Sequence, residues 1–174
     1  MKTIKVGKIK IGAGAPLVLV AGPCVIESEQ ITFLTAKKIK EIAARIGIPF
    51  IFKSSYDKSN RSAVDYYRGP GLNKGLKILA RIKEELGIPI ISDVHCRAEI
   101  GPAAEVLDVI QIPAYLCQQT DMVVEAAKTG KVLNIKKGQF IAPWDMEKIC
   151  NKAKSAGNEK IILTERGSVM GYNN

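Results

Sequence analysis

Short apolar segments alternate with amphipathic segments along most of this chain. The apolar segments are rich in Val, Ile and Leu and carry few polar residues on either face, which is typical of parallel strands covered on both sides. We predict strands over Leu17–Ala21, Pro49–Lys53, Pro89–Asp93, Val109–Ile112, Val132–Lys136 and Lys160–Glu165. Six such strands in series, with helical patterns between them, predict an α/β fold with a parallel sheet.

Helical periodicity fills the segments between these strands. Ser28 is a candidate N-cap of the first helix, and the second helix is predicted to end at Gly87. Further helices are predicted over about Ala98–Leu107, from near Thr120 to Gly130, and from Pro143 to Gly157. The first helix carries an apolar stripe of the kind that faces a core. The members of this stripe are Ile31, Leu34, Ile39, Ile42, Ala43 and Ile46.

The first eleven residues resemble a secretory signal only superficially. Their lysines alternate with Ile and Val, which predicts a small β-ribbon and, with it, a cytoplasmic protein. No apolar run approaches the roughly 20 residues that a membrane helix needs. The four cysteines are widely spaced and lack a C-x-x-C pair, which argues against both a zinc ribbon and a disulfide scaffold.

Polar residues at the carboxyl ends of the predicted strands fall repeatedly on one face. Because successive strand residues point to opposite faces, this shared parity can be read directly from the sequence. The residues concerned are Lys53, Asp93, His95, Asn134, Lys136 and Arg166, with Gln111 inside the fourth strand. In a barrel, one parity faces the lumen and functional groups gather at its carboxyl-terminal mouth. An open doubly wound sheet offers no equally simple reason for this convergence.

We therefore predict the TIM (β/α)8 barrel class rather than an open doubly wound sheet, with about six β/α units in a single domain over residues 1–174. No G-x-G-x-x-G follows the first strand and no Walker A loop occurs, which weakens a dinucleotide or P-loop hypothesis. A lumen that carries Lys53, His95, Lys136 and Arg166 would be a cationic pocket.

Charge narrows the class of ligand. The 174 residues include 26 Lys and Arg against 17 Asp and Glu, a formal charge of +9, which suggests nucleic acid, a membrane surface or phosphorylated small molecules as partners. The loop after the second strand holds lysines, an arginine and several hydroxyls, which suit phosphate or carboxylate oxygens. An aromatic content of 6% and the lack of any nucleic-acid-binding motif favour small phosphorylated ligands.

Eight short motifs spread over the whole chain carry a resemblance to one enzyme family. They are Ala21-Gly22-Pro23-Cys24, Phe52-Lys53-Ser54-Ser55, Asn60-Arg61-Ser62, Tyr67-Arg68-Gly69-Pro70-Gly71-Leu72, Asp93-Val94-His95, Gln111-Ile112-Pro113-Ala114, Asn134-Ile135-Lys136-Lys137-Gly138-Gln139-Phe140 and Thr164-Glu165-Arg166-Gly167. With them the chain resembles the 3-deoxy-D-manno-octulosonate 8-phosphate synthases, also called 2-dehydro-3-deoxyphosphooctonate aldolases. The related shikimate-pathway synthase, which uses erythrose 4-phosphate, typically has Lys-Pro-Arg-Thr at the position of Lys53-Ser54-Ser55 and is the alternative.

The resemblance implies a homotetrameric barrel enzyme of lipopolysaccharide core synthesis. Such an enzyme condenses phosphoenolpyruvate with D-arabinose 5-phosphate and water, giving the eight-carbon sugar phosphate and inorganic phosphate. By resemblance, Lys58, His95 and Lys136 are the expected catalytic residues. The expected substrate-binding residues are Lys53, Ser55, Lys58, Asn60, Arg61, Ser62, Gln111, Ala114, Lys136 and Arg166.

Cys24 bears on the cofactor. Taken alone, a cysteine after Ala-Gly-Pro is more often an inert core residue than a metal ligand. The family has a metal-dependent type with Cys at this place and a metal-independent type with Asn, so the resemblance implies a divalent transition metal (Fe, Zn, Mn or Co) with Cys24 as one ligand. The other ligands are expected in a part of the family's barrel that this chain lacks.

Three departures qualify the resemblance. Cys96 stands where the family commonly has Glu, and Gln118 stands where it usually has Arg, which removes a cation near the expected anion site. Family members also continue through a seventh and an eighth strand, and a closed barrel needs all eight. We therefore expect a truncated chain with little or no activity of its own. A non-catalytic paralogue that binds a phosphorylated ligand or acts in assembly is a further alternative.

Overall fold

The computed structural model describes residues 2–171. It begins with an antiparallel ribbon of β1 (Ile4–Val6) and β2 (Ile9–Ile11), in which Ile4 pairs with Ile11 and Val6 with Ile9. This confirms the ribbon predicted from the alternation of Lys with Ile and Val. Gly171-Tyr172-Asn173-Asn174 also belongs to the motifs that carry the family resemblance, and its last three residues lie outside the described residues.

Six strands of a second sheet follow within the described residues, each close to its predicted bounds. They are β3 (Leu19–Ala21), β4 (Phe50–Lys53), β5 (Ile90–Asp93), β6 (Val109–Ile112), β7 (Val132–Lys136) and β8 (Ile161–Thr164). Their order in the sheet follows the chain order, and the pairs β3–β4, β4–β5 and β7–β8 are parallel. The prediction of a barrel-class α/β fold with six β/α units is confirmed by this topology.

The helices also lie close to their predicted positions. They are α1 (Glu29–Arg45), α2 (Leu72–Leu86), α3 (Arg97–Val106), α4 (Thr120–Lys128) and α5 (Met146–Ser155). Short 3-10 turns over Ala114–Leu116 and Pro143–Asp145 precede α4 and α5. None of the helices in residues 2–171 is both long and apolar enough to cross a bilayer.

Local chemistry sets the ends of the first two helices. The Ser28 hydroxyl accepts a hydrogen bond from the Ile31 N–H, so it caps one of the unpaired amides at the start of α1. Gly87 ends α2 in the left-handed conformation, with φ +60° and ψ +36°, and its N–H bonds to the Lys83 carbonyl. Both ends match the sequence prediction.

The described residues fall into two compact units. Unit 1 runs up to Ser92 and includes Glu105–Val109, and unit 2 comprises Asp93–Ala104 and the residues from Ile110 onward. The core of unit 1 contains Phe50 and Phe52, whose rings meet edge to face at 6.4 Å. In unit 2, side chains of β6 are buried at consecutive positions, as are those of β7 as far as Ile135, together with side chains of α4 and α5. The prediction of a single domain over residues 1–174 stays a prediction.

The predicted core face of α1 is largely wrong. The helix buries Thr32, Ala36 and Ala43. The aliphatic side chains of the stripe are instead exposed, with Ile31 at 53% and Leu34 at 55%. Small side chains allow α1 to approach its neighbours closely. The buried face of the helix is therefore formed by small residues such as Thr32, which directly follows the exposed Ile31, and not by the largest apolar side chains.

Candidate functional site

The Ala21–Cys24 segment is fitted against the end of β4 in unit 1. The Ser54 hydroxyl donates to the Pro23 carbonyl at 3.0 Å, and the Ile26 N–H donates to the Ser55 carbonyl at 3.0 Å. A Cβ atom on Gly22 would lie 1.9 Å from the Lys53 carbonyl oxygen, so only glycine fits there. Sterics therefore explain the glycine of the Ala-Gly-Pro-Cys motif: at Gly22 the backbone of the motif contacts the backbone of β4, the strand that ends in Lys53.

An ion pair braces the loop after β4. Arg68 Nε donates to Asp57 Oδ1 at 2.9 Å, and its Nη2 donates to the other carboxylate oxygen, which makes the pair bidentate. The Lys58 N–H donates to the Arg68 carbonyl at 2.7 Å. Lys58 Nζ then donates to the Ser55 hydroxyl at 2.8 Å. The structure thus brings together two predicted site residues, Lys58 and Ser55, on a braced backbone.

The three residues expected to serve the sugar phosphate lie further out on the same loop. Asn60, Arg61 and Ser62 are all exposed. Arg61 Nε donates to the Tyr67 carbonyl at 3.3 Å, while the Tyr67 hydroxyl donates to the Ile26 carbonyl at 2.9 Å. Tyr67 therefore anchors the outer part of this loop to the backbone near Ile26. The guanidinium group of Arg61 stays at the surface, where an anion can reach it.

Lys53 and Cys24 occupy the remaining predicted positions in unit 1. Lys53 is the last residue of β4 and is half-buried, and the Cys24 thiol is exposed. In the part of the chain that the structure describes, no group of three or more His, Cys, Asp and Glu side chains could hold a metal ion. The described residues therefore do not supply a full ligand set for Cys24, and we derive no chemical step through a metal.

A ladder of three polar side chains crosses the strands of unit 2. The Thr164 hydroxyl donates to Asn134 Oδ1 at 2.7 Å, and Asn134 Nδ2 donates to Gln111 Oε1 at 3.1 Å. Gln111 and Asn134 are 4% and 7% exposed. Because the ladder uses the amide oxygen of Gln111 as an acceptor, it leaves the Nε2 hydrogens to donate to a ligand. Parity predicts that Asn134 shares a face with Lys136, and the structure adds Gln111 and Thr164 as the partners of Asn134.

Lys136 and Arg166 follow β7 and β8 in the same unit. Lys136 is the half-buried last residue of β7. Arg166 is exposed, and its Nη1 donates to Gln139 Oε1 at 2.6 Å. Desolvation acts to raise the pKa of the neighbouring Glu165 carboxyl, but hydrogen bonds from the Gly167 and Arg166 N–H groups and from Lys137 together lower that pKa. Glu165 therefore holds this turn as a carboxylate.

His95 and Ala114 come after β5 and β6. The His95 N–H donates to Glu99 Oε2 at 2.7 Å, so the first turn of α3 fixes its backbone. Its ring Nε2 lies 3.7 Å from Asp93 Oδ2, with both side chains less than a tenth exposed. Ala114 is buried at the start of a 3-10 turn, where it can offer only its methyl group and backbone.

The two positions that depart from the family lie at the surface of unit 2. Cys96 is an exposed free thiol directly after His95. Gln118 is exposed, and its carbonyl accepts a hydrogen bond from Lys152 Nζ at 2.7 Å. This contact with α5 uses only the backbone of residue 118, so it does not depend on the amide side chain.

Sequence reasoning missed several residues that organise these groups. Asn134 and Thr164 were seen as polar positions but not as partners of Gln111. Asp57 and Arg68 lie eleven positions apart, and only their opposite charges hinted at a pair. The burial of Lys137 was also missed. Its position directly after Lys136 gives it the opposite parity, and this opposite parity is a usable signal that its side chain points away from the face of Lys136.

The comparisons with known proteins agree over the whole chain. The model of the DAHP synthetase I family matches residues 2–174. A protein of Geotalea uraniireducens named 2-dehydro-3-deoxyphosphooctonate aldolase is 60% identical over 174 residues, which is 100% of this chain and 64% of that protein. One of the same name from Trichlorobacter lovleyi is 58% identical over 173 residues, covering 99% of this chain and 64% of that protein. The chain thus spans 64% of the length of these curated relatives.

Proposed function

The chain belongs to the DAHP synthetase I family, and from this premise we propose that it acts in the condensation of phosphoenolpyruvate with D-arabinose 5-phosphate and water. The names of its relatives support this choice of reaction, since they are 2-dehydro-3-deoxyphosphooctonate aldolases over the whole matched length. The product would be 3-deoxy-D-manno-octulosonate 8-phosphate, a precursor of the lipopolysaccharide core, released together with inorganic phosphate.

The proposed reaction joins two anions. The enol electrons of phosphoenolpyruvate form a bond from C3 to the aldehyde carbon of the sugar, and water adds at C2. The aldehyde oxygen becomes a hydroxyl by taking up one proton from the water. The new C2 hydroxyl then loses its proton to the departing phosphate, so that C2 becomes a ketone as its bond to the phosphate oxygen breaks. Bringing two anions together out of bulk water requires compensating cations and fixed donors, which supply both charge stabilisation and proximity.

The observation that carries the proposal is the ladder of unit 2 with its two flanking cations. Gln111, fixed by Asn134, presents amide hydrogens, while Lys136 and Arg166 follow the ends of neighbouring strands β7 and β8. Two cations and an oriented donor are suited to a ligand that carries both carboxylate and phosphate. We assign phosphoenolpyruvate to this group.

The loop of unit 1 has the chemistry for the second substrate. Arg61 is exposed on a base fixed by Tyr67, and Asn60 and Ser62 flank it with polar groups that suit phosphate and sugar hydroxyls. We assign the phosphate end of the pentose to Arg61. His95, beside the Asp93 carboxylate, is assigned to the attacking water.

Other expectations remain predictions from the sequence and from the resemblance. These are a divalent transition metal at Cys24, a homotetrameric assembly, a cytoplasmic location, roles for Lys53, Lys58, Ser55 and Ala114 in binding, and the lack of a nucleic-acid or membrane partner.

Binding of phosphoenolpyruvate by isothermal titration calorimetry tests the assignment in unit 2. We expect the wild-type chain to bind it and Lys136→Met to bind about tenfold more weakly, a loss of about 1.4 kcal/mol. Lys148→Met is the matched control, because Lys148 is an exposed lysine on α5 paired only with Asp145 over one helical turn. Equal weakening by both substitutions would contradict the assignment.

Sugar phosphates distinguish the two synthase reactions. With bound phosphoenolpyruvate, D-arabinose 5-phosphate should bind more tightly than erythrose 4-phosphate, and Arg61→Ala should reduce that binding. Preference for the four-carbon sugar would favour the shikimate-pathway alternative. Phosphate release by the 174-residue chain is expected to be small, and binding without any turnover would favour the non-catalytic paralogue.

A further inference from the structure

Lys137 is a lysine in an unusual environment. Its side chain is only 3% exposed. The ammonium group donates to three backbone carbonyls, those of Gly138 at 3.2 Å, Ile141 at 3.1 Å and Gly167 at 2.8 Å. Glu165 Oε1 lies 3.4 Å from Nζ and provides the opposite charge. An ammonium has three hydrogens to donate, and here each has a carbonyl partner.

Such burial is costly unless every donor is satisfied. Moving an ammonium out of water without partners would shift its charge state or unfold its surroundings. The three carbonyls and one carboxylate instead form a closed set around Nζ. The set can exist only while the segments that provide it are held at fixed positions, so the ammonium and these segments order one another.

The carbonyl partners of Lys137 belong to two different loops. Gly138 and Ile141 lie in the segment after β7, and Gly167 lies in the segment after β8. Further bonds join the same two segments: the Lys137 N–H donates to the Thr164 carbonyl at 2.9 Å, and the Val169 N–H donates to the Gln139 carbonyl at 3.2 Å. Arg166 also bridges the two loops, since its Nη1 donates to Gln139 Oε1 at 2.6 Å, but it is exposed, whereas the charge of Lys137 is buried between them.

Each of these loops begins beside a cation of the proposed site. Lys136 immediately precedes Lys137 at the opposite parity, so the two neighbouring lysines point to different faces. Arg166 immediately precedes Gly167, whose carbonyl binds the Lys137 ammonium. Lys136 is held in β7, whereas Arg166 lies in the loop after β8, so a change in the position of that loop would change the separation of the two cations.

We propose that Lys137 is a positioning residue that ties the loops after β7 and β8 together and thereby sets the separation of the Lys136 and Arg166 cations. The second part of this inference rests on the proposed function, because it concerns the residues assigned to phosphoenolpyruvate. Lys137 itself contacts no substrate in this assignment. Its contribution to binding passes through the geometry of its neighbours.

The test combines hydrogen exchange with a double-mutant cycle. Lys137→Met keeps the length and apolar stem of the side chain and removes the three donors. We expect amides in residues 138–142 and 165–171 to exchange about tenfold faster, with those of α2 in unit 1 unchanged. The dissociation constant for phosphoenolpyruvate should rise about tenfold, but by less than about twofold when the same substitution is made in an Arg166→Ala chain.

The controls separate positioning from general damage. Lys148→Met, the same substitution at an exposed lysine, should change neither the exchange nor the binding. If Lys137→Met does not fold, Lys137→Gln, which keeps two amide donors without the charge, is measured in the same way. An equal loss of affinity in the wild-type and Arg166→Ala backgrounds would show that Lys137 does not act through Arg166 and would overturn the proposal.

Failure of the proposed function has a separate signature. If the wild-type chain binds no phosphoenolpyruvate, the assignment of that ligand is refuted, and hydrogen exchange alone decides whether Lys137 ties the loops. Unchanged exchange in both loops of the Lys137→Met chain would overturn the inference whatever the binding result.

Discussion

Replacing Asn134 by alanine removes the middle of the Gln111–Asn134–Thr164 ladder. The substitution deletes both hydrogen bonds and leaves the amide oxygen of Gln111, a side chain only 4% exposed, without its partner. An unsatisfied buried acceptor costs about 1–3 kcal/mol. Thr164 is half-buried, and its hydroxyl can turn to water, so its lost bond costs about 0.5–1.5 kcal/mol. We expect the free energy of unfolding to fall by about 1.5–4.5 kcal/mol.

Urea-induced unfolding followed by far-ultraviolet circular dichroism measures this loss. Thr164→Val removes only the outer bond of the ladder and should cost about 0.5–1.5 kcal/mol. Asn151→Ala is the matched control, since Asn151 is an exposed asparagine of α5 whose Oδ1 only accepts a long bond from Lys154. Its stability should stay within about 0.5 kcal/mol of wild type.

The reasoning fails if Asn134→Ala costs no more than the Asn151 control. That result would mean that the Gln111 amide turns over or finds another partner, and hence that the ladder does not hold the amide in one orientation. The assignment of Gln111 as an oriented donor would then lose its structural basis.

Two further predictions concern a close contact and a carboxylate. Gly75→Ala should lower the free energy of unfolding despite the better helix propensity of alanine, because the new Cβ would lie 2.2 Å from the Tyr56 Cβ. Gly101→Ala is the control, since a Cβ there meets nothing within 4 Å. It should raise the free energy of unfolding by about 0.5–1 kcal/mol in the same urea assay. Since folding lowers the pKa of Glu165 below its usual 4.5, its contribution to stability is present above that pH and is lost as the pH falls through the folded-state value. The stability difference between wild type and Glu165→Gln should therefore shrink from pH 6.5 to about pH 3, and a difference that stays constant over this range would contradict the pKa direction.

The strands were predictable because their environment leaves a strong local signal. Strands covered on both faces are apolar at consecutive positions, and Val109–Ile112 and Val132–Lys136 have the bounds that this pattern predicts. The packing face of α1 was not predictable in the same way. Its contact residues Thr32, Ala36 and Ala43 are small, and hydrophobicity alone does not reveal where two backbones come close.

In the candidate site, too, the direction of a side chain could be predicted from the sequence, but its hydrogen-bond partners could not. Strand parity predicted that Asn134 and Lys136 share a face, because the direction of a side chain follows from its position in a strand. The partners that fix these groups depend on contacts between distant parts of the chain, such as Asn134 with Thr164 or Arg68 with Asp57. A sequence motif shows that such residues occur together, but only the fold shows which atom each one bonds.

The paired lysines at the end of β7 differ in chemical reactivity as a consequence of their positions. Amine-reactive reagents need an ammonium that can lose its proton and meet the reagent in solvent. The Lys137 nitrogen has all its hydrogens bound to carbonyls and almost no exposed surface, whereas the half-buried Lys136 is partly open to solvent. Acylation of this dipeptide should therefore modify Lys136 and spare its identical neighbour for as long as the two loops stay closed over Lys137.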